Sequence, residues 1–154
     1  MTIGRERENG PAIGRISETA VIKRLLELGY EVLLPYSNTA VYDLAYFSSP
    51  REILLDGTIS SGTIVLVQVK TAQIIEDGKY LTFLTSRNTR TNGKRNKRRS
   101  YLGEVDEFMA YSPDTGKVYS VAAHVAPATR MILCLANGSR GPYKGTPLAK
   151  DYEL

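Results

Sequence analysis

The sequence predicts an α+β domain in which a mixed β-sheet carries one long N-terminal helix on one face. Two observations favour this class. Apolar side chains recur at spacings of three and four from Ala12 to Leu28, and Gly29 follows, which predicts a helix that ends there. Several apolar segments then follow with little helical pattern between them. A doubly wound nucleotide-binding fold is disfavoured because no glycine-rich turn joins a predicted strand to a helix.

The strands are predicted by short runs of apolar and β-branched residues. In chain order they span Tyr30–Tyr36, Ala40–Phe47, Thr63–Ala72, Tyr80–Thr85, Phe108–Ser112, Lys117–Ala123 and Thr129–Leu135. The turn Pro113–Gly116 predicts that the fifth and sixth of them form a hairpin. The C-terminal tail from about residue 137 is rich in Gly, Pro and Lys, and we expect it to be irregular.

Length and composition predict a single domain over residues 1–154. A chain of 154 residues with 42% hydrophobic residues can bury a core without disulfides or a structural metal. The one cysteine, Cys134, lies in an apolar run, which is typical of a protein from a reducing compartment. No apolar segment approaches the roughly 18 to 20 residues of a membrane span, and the N-terminus is charged. We therefore expect a cytoplasmic protein with no membrane partner.

The positive charge is concentrated in one segment, RNTRTNGKRNKRRS, from Arg87 to Ser100. It holds seven Lys or Arg and no acidic residue, whereas the rest of the chain carries 13 basic and 16 acidic residues. Such a run is typical of a nucleic-acid contact or of a solvated loop. We expect a basic loop at residues 87–100 that binds DNA phosphates. Its cations are Arg87, Arg90, Lys94, Arg95, Lys97, Arg98 and Arg99.

Polar side chains interrupt two of the predicted strands. Gln68 and Lys70 stand in the apolar run IVLVQVKTA and share one face of that strand, because side chains in a strand alternate between faces. Asp43 interrupts the preceding strand in the same manner, and it would lie beside this pair if the two strands are neighbours. Glu18 points toward the edge of the buried stripe of the helix. The pattern therefore predicts a cluster of four polar groups.

Such a cluster suits a hard divalent cation such as Mg²⁺, with Mn²⁺ as a substitute, because these ions prefer oxygen ligands. A cation held by Asp43 would activate a water for phosphodiester hydrolysis, while Lys70 would orient that water and stabilise charge on the phosphate. Glu18 would act through a bound water. A purely structural interpretation stays open: Asp43 and Lys70 as a buried ion pair, Glu18 solvated, and Gln68 bonded to a loop. Histidine-dependent metal sites are disfavoured because His124 is the one histidine.

Four short motifs resemble the PD-(D/E)XK nuclease superfamily. They are Ile16-Ser-Glu18, Leu28-Gly-Tyr30, Tyr42-Asp-Leu44 and Val67-Gln-Val-Lys-Thr-Ala72. The likeness is greatest to the branch that includes intron-encoded homing endonucleases with a Gln-x-Lys form of the motif. Further on, Tyr101-x-x-Glu-Val-Asp106, Tyr111 and Lys117-Val-Tyr119 are similar to a strand pair of that branch. The likeness extends from about residue 14 to about residue 123.

The resemblance implies a restriction-endonuclease-like fold and a Mg²⁺-dependent, site-specific endonuclease of double-stranded DNA. Glu18 matches the helical glutamate of the family, Asp43 the metal-binding aspartate, Gln68 the usual acidic position and Lys70 the catalytic lysine. Asp43, Gln68 and Glu18 would then hold the metal. Gln68 departs from the usual Asp or Glu and lowers the negative charge of the site by one, so metal affinity would depend more on Asp43 and Glu18.

Two alternatives stay open at this stage. Holliday-junction resolvases share the fold and the four-position site, but they keep an acid where Gln68 stands. A DNA-binding protein that has kept the fold and lost catalysis is the other alternative, and Gln68 is the residue that favours it. For an active nuclease we expect a homodimer or homotetramer, because one domain has one active site and a double-strand cut needs two.

Overall fold

The computed structural model describes residues 10–91, 94–135 and 145–154, with the backbone alone at residues 89–91 and 94–96. One helix is followed almost entirely by strands. The elements are α1 (Gly10–Glu27), β1 (Val32–Leu33), β2 (Leu44–Phe47), β3 (Glu52–Ile53), β4 (Ile59–Ser60), β5 (Ile64–Thr71), β6 (Gln73–Ile75), β7 (Tyr80–Leu84), β8 (Ser86–Thr91), β9 (Lys94–Ser100), β10 (Glu107–Ser112), β11 (Lys117–Ala122), β12 (Arg130–Cys134) and a 3₁₀ helix (Ala149–Asp151).

Helix α1 ends in a glycine turn that sets the direction of the chain toward the sheet. The N–H of Tyr30 donates to the carbonyl of Leu25 at 3.0 Å, and the N–H of Gly29 donates to the carbonyl of Leu26 at 3.0 Å. This is the Schellman arrangement, which needs a left-handed residue, and Gly29 supplies it with φ of 84°. The turn leads the chain from α1 into β1, the edge strand of the sheet on which α1 packs.

The central sheet has five strands in the order β1-β2-β5-β10-β11. Strand β5 pairs antiparallel with β2 and parallel with β10, so the sheet is mixed as expected. Ala45 lies opposite Leu66 across the first of these pairs. Phe108 lies opposite Gln68 across the second. Paired residues point to the same face of a sheet, so the side chains of Gln68 and Phe108 lie on one face.

Two hydrophobic cores lie on the two faces of the central sheet. On one face, Val21 and Leu25 of α1 pack against Val67 and Val69 of β5. On the other face, the sheet packs against a smaller antiparallel sheet with the order β12-β7-β6, to which Leu81 belongs. The predicted α+β architecture, a mixed sheet with α1 on one face, is thus confirmed. No helix among the described residues is both long and apolar enough to cross a membrane.

The structure differs from the sequence-based expectation in the basic segment. The expected loop at residues 87–100 is wrong, because β8 and β9 pair antiparallel there. Backbone pairing forms these strands without any apolar alternation. We call β8 and β9 together the basic ribbon.

The described part of the C-terminal tail holds one three-residue 3₁₀ helix and isolated bridges, and it is fixed against the sheets. Residues 136–144 lie outside the described residues. Beyond them, Leu148 bridges Cys134 of β12, and Glu153 bridges Tyr119 of β11. The N–H of Leu154 donates to the carbonyl of Val118 at 3.0 Å. The last residues therefore pack onto the sheet edge formed by β11.

Candidate active site

Asp43 directly precedes β2 and is fixed against β5 by both its backbone and its side chain. Its N–H donates to the carbonyl of Val67 at 2.9 Å. Its Oδ2 accepts a hydrogen bond from the N–H of Val69 at 2.7 Å and another from Nε2 of Gln68. Burial raises the pKa of Asp43, while the hydrogen bond from Val69, the charge of Lys70 and the hydrogen bond from Gln68 act in the opposite direction. The carboxylate is therefore held in one orientation before any ligand binds.

Lys70 is half-buried next to a tyrosine that follows the basic ribbon. Its Nζ donates to the hydroxyl of Tyr101 at 3.2 Å and lies 4.6 Å from the centre of that ring. Burial lowers the pKa of Lys70, the charge of Asp43 raises it, and the charge of Arg87 lowers it further. The ion pairs among the described residues do not include Lys70 with Asp43, so the buried ion pair of the structural interpretation does not form.

Glu18 approaches the same place from α1, which packs on the opposite face of β5. The preceding residue, Ser17, is buried and shares a hydroxyl hydrogen bond of 2.6 Å with Thr71 at the end of β5. Glu18 itself is half-buried. Burial raises its pKa, the negative charge of Asp43 raises it further, and Arg15 lowers it. Asp43 thus lies close enough to Glu18 for the two carboxylates to repel each other.

We call Glu18, Asp43, Gln68 and Lys70 the polar cluster. The sequence-based prediction that Asp43, Gln68 and Lys70 face one another is met in their placement, since β2 and β5 are neighbours and Gln68 bonds to Asp43. Gln68 bonds to this carboxylate and not to a loop, as the structural interpretation had it. The roles of the four residues in catalysis and metal binding stay predictions.

The donors of the polar cluster fit a hard divalent cation in their chemistry. Among the described residues, no three or more His, Cys, Asp or Glu are grouped so that they could hold a metal ion. The cluster instead offers two carboxylates, on Glu18 and Asp43, and the amide oxygen of Gln68. Both carboxylates have raised pKa values because they are partly buried, and Asp43 adds to the effect at Glu18. A cation between them would relieve this cost.

The basic ribbon lies next to the polar cluster through Tyr101. The guanidinium carbon of Arg87 is 5.1 Å from the centre of the Tyr101 ring. Arg87 and Arg99 both form ion pairs with Glu104, at 2.7 and 2.8 Å. Lys97 and Arg98 are exposed on β9. The side chains of Arg90, Lys94 and Arg95, which we also predicted to bind DNA, lie outside the described residues.

Sequence reasoning did not assign Tyr101 or Glu104 to the site. Tyr101 is buried at 6% exposure and contacts both Lys70 and Arg87. Glu104 is the carboxylate that two ribbon arginines share. The one available signal was their place in the motif Tyr101-x-x-Glu-Val-Asp106, which gives no indication of which strands they meet.

Comparison with known proteins agrees with this architecture. A family model described as PD-(D/E)XK endonuclease matches residues 9–154. Among solved structures, the chain is similar to "a bacterial homing endonuclease: I-Ssp6803I", with 23% sequence identity, a TM-score of 0.70, and coverage of 95% of this chain and 89% of that chain. At this identity the likeness shows the fold. No curated protein matches the chain.

Proposed function

This chain belongs to the PD-(D/E)XK endonuclease family, and on that premise we propose that it is a Mg²⁺-dependent endonuclease that cuts double-stranded DNA at specific sites. The observation that carries the proposal is the placement of Asp43 beside Gln68 and Lys70 of β5, with Glu18 approaching from α1. The family supports nuclease chemistry. Site specificity rests on the likeness to the homing endonuclease fold and on the Gln-x-Lys motif.

Asp43, Gln68 and Glu18 are the residues that would hold Mg²⁺, with Mn²⁺ as a substitute. When bound, the cation would supply positive charge that polarises a phosphoryl oxygen and favours deprotonation of a water. Asp43 already points one oxygen at the N–H of Val69, at 2.7 Å, so its orientation is set by the backbone of β5. Gln68 holds the same oxygen from the side chain.

Lys70 is the residue proposed to act on the nucleophile and on the phosphate. Its lowered pKa, which burial causes, lets its Nζ exchange a proton more readily than an exposed lysine. The hydrogen bond to the Tyr101 hydroxyl, at 3.2 Å, fixes the position of Nζ. In its charged form, Nζ would stabilise negative charge that develops on the phosphate.

The basic ribbon is proposed to bind the DNA backbone. Its cations lie on two paired strands, so the backbone pairing keeps them close together in space. Contacts of Lys and Arg with phosphates give affinity that decreases with salt. Because one chain carries one polar cluster and a double-strand cut needs two, we propose a homodimer or homotetramer whose two-fold axis matches that of the DNA.

The test is cleavage of duplex DNA in Mg²⁺ by the variants Asp43→Ala and Lys70→Ala. Each should lose on the order of 10²–10³-fold in rate, the usual loss when one group that stabilises the transition state is removed. Asp114→Ala and Lys79→Ala, at exposed positions away from the polar cluster, are matched controls and should cut like the wild type. Unchanged cutting by both site variants would remove the assignment. A preference for a four-way junction over linear duplex, regardless of sequence, would favour a junction-resolving nuclease.

Gln68 favours a second candidate, a DNA-binding protein that has lost catalysis. Its amide N–H donates to Asp43, which leaves the polar cluster one carboxylate short of the usual pattern. Thermal melting separates the two candidates. A working site should be stabilised by Mg²⁺, because a ligand that binds the folded state raises its stability. A non-catalytic binder should keep its DNA affinity without this stabilisation.

A further inference from the structure

Arg87 differs from the other described cations of the basic ribbon in its burial and its position. It is the second residue of β8, and the preceding Ser86 is buried, with its hydroxyl donating to the carbonyl of Thr129 at 3.4 Å. The side chain of Arg87 is 24% exposed, against 62% for Arg99. Arg87 therefore lies at the fixed base of the ribbon, enclosed by the protein and not directed into solvent.

The guanidinium of Arg87 lies near the ammonium of Lys70. Both groups contact Tyr101: the Arg87 carbon lies 5.1 Å from the ring centre and the Lys70 nitrogen 4.6 Å from it. The hydroxyl of the same ring accepts the hydrogen bond from Lys70. Two cations held beside one aromatic ring repel each other, so their placement is favoured when an anion is bound between them.

Glu104 sets the orientation of Arg87. Arg87 and Arg99 are directly opposite each other across the ribbon, a position where like charges destabilise the pairing. Nη2 of Arg87 donates to both oxygens of Glu104, at 2.7 and 3.1 Å, and Nη2 of Arg99 donates to one of them at 2.8 Å. The shared carboxylate compensates the repulsion. It also holds Arg87 in a geometry that suits a carboxylate and a phosphate alike.

One donor of Arg87 has no partner. Its Nε is buried, and among the described residues it is the one buried side-chain nitrogen or oxygen without a hydrogen bond. Such a group costs folding free energy, and its persistence in a folded protein points to a ligand or to a functional role. A phosphate oxygen is an acceptor of the kind that this N–H lacks.

Resting on the nuclease function proposed above, we propose that Arg87 is a further catalytic residue. Together with Lys70, it binds the phosphate at which the DNA is cleaved. The remaining ribbon cations grip neighbouring phosphates. Tyr101 contacts both cations and positions them, and Glu104 positions Arg87 through its ion pair. The ribbon thereby contributes to the chemical step as well as to binding.

The experiment separates the chemical step from DNA binding. DNA affinity is measured in Ca²⁺, and single-turnover cleavage is measured in Mg²⁺ at saturating protein, for Arg87→Ala, Arg87→Lys and Arg98→Ala. Arg98→Ala removes one exposed charge from the same ribbon and shows what that loss alone does. Arg87→Ala should lower the saturated rate by about 10²–10³-fold, much more than Arg98→Ala. Arg87→Lys should recover part of the rate because it keeps the charge.

Two further measurements exclude a merely structural effect. Melting temperatures show whether each variant is folded. If Arg87→Ala does not fold, Arg87→Lys takes its place in the comparison with Arg98→Ala. Glu104→Gln removes the ion pair but keeps Arg87, so it should lose less of the saturated rate than Arg87→Ala. The inference would be overturned if Arg87→Ala and Arg98→Ala lowered the saturated cleavage rate equally. It would also be overturned if Glu104→Gln lowered that rate as much as Arg87→Ala. Failure of the wild type to cut at all would instead overturn the proposed function.

Discussion

The polar cluster and the basic ribbon hold their polar groups in opposite ways. In the cluster, half-buried side chains bond to one another and to β5: Asp43 accepts from Gln68 and Val69, and Lys70 donates to Tyr101. In the described part of the ribbon, backbone pairing builds the structure while Arg98 stays exposed. The cluster is therefore preorganised by the fold, whereas Lys97 and Arg98 of the ribbon are exposed to solvent. Only a preorganised group can stabilise a transition state without reorganising first.

The two regions meet at Arg87, which lies on β8 of the ribbon and contacts Tyr101, the hydrogen-bond partner of Lys70. Its ion pair with Glu104, at 2.7 Å, and its approach to the Tyr101 ring set it apart from Arg98. The boundary between the two regions therefore lies within the basic ribbon, between Arg87 on β8 and Arg98 on β9. Substitutions on either side of it should affect different measurements.

Removal of a core side chain that supports the polar cluster should give the largest change, a loss in the free energy of unfolding. Leu25 is 1% exposed and packs with Val67 and Val69 on the face of β5 opposite Gln68. Leu25→Ala should lower the free energy of unfolding by about 2–5 kcal/mol, because it leaves a cavity in the core. Denaturant unfolding measures this. Ile53→Ala is the control, since Ile53 is 80% exposed and its loss should cost under about 0.5 kcal/mol. Equal losses would show that α1 does not support the sheet at this point.

Removal of exposed cations from the basic ribbon should give the next largest change, a loss of DNA affinity. The double variant Lys97→Ala, Arg98→Ala should weaken DNA binding about tenfold or more at low salt and reduce the slope of log affinity against log salt by about two. Lys79→Ala, Lys150→Ala removes the same charge from exposed positions outside the ribbon and should change neither quantity as much. Binding titrations over a range of salt concentrations measure both. An unchanged slope in the ribbon variant would place the DNA elsewhere.

A change of the Gln68 amide to a carboxylate should give the smallest change, a shift of the melting temperature. Gln68→Glu places a second carboxylate against Asp43, where an amide now donates. Without a divalent cation the variant should melt about 2–4 °C lower, the shift that a loss of about 1 kcal/mol gives in a chain of this size. Added Mg²⁺ should stabilise it more than the wild type.

The matched control for that variant is Gln73→Glu, at an exposed position on β6. It should melt like the wild type with or without Mg²⁺. If Gln68→Glu is the more stable protein in the absence of metal, the amide of Gln68 does not hold the Asp43 carboxylate as the structure indicates.

The elements with regular apolar patterns were predictable from the sequence. The helix predicted over Ala12 to Leu28 is α1, and the strand predicted over Thr63 to Ala72 is β5, each within two residues at either end. The segment Tyr30–Tyr36 gave only two paired residues, because β1 is an edge strand that meets β2 at two positions. The strands of the basic ribbon were not predicted, because they pair through the backbone and have no alternation of apolar residues.

The site was predictable where it depends on one strand and its neighbour. The alternation of β5 placed Gln68 and Lys70 on one face, and the pairing with β2 brought Asp43 to them. The contacts of Tyr101 and Glu104 were not predictable, because they depend on how the basic ribbon folds against the central sheet. Sequence patterns give the face of a strand, whereas contacts between sheets depend on packing of the whole chain.

The most direct measurement is to incubate the purified protein with Mg²⁺ and a genomic duplex library and to sequence the DNA ends, with Asp43→Ala in parallel. We expect new ends that recur at one sequence or a few related ones, and that disappear with a metal chelator and in Asp43→Ala. If the folded wild type gives no new ends, or if Asp43→Ala gives the same ends, the proposed nuclease function is wrong.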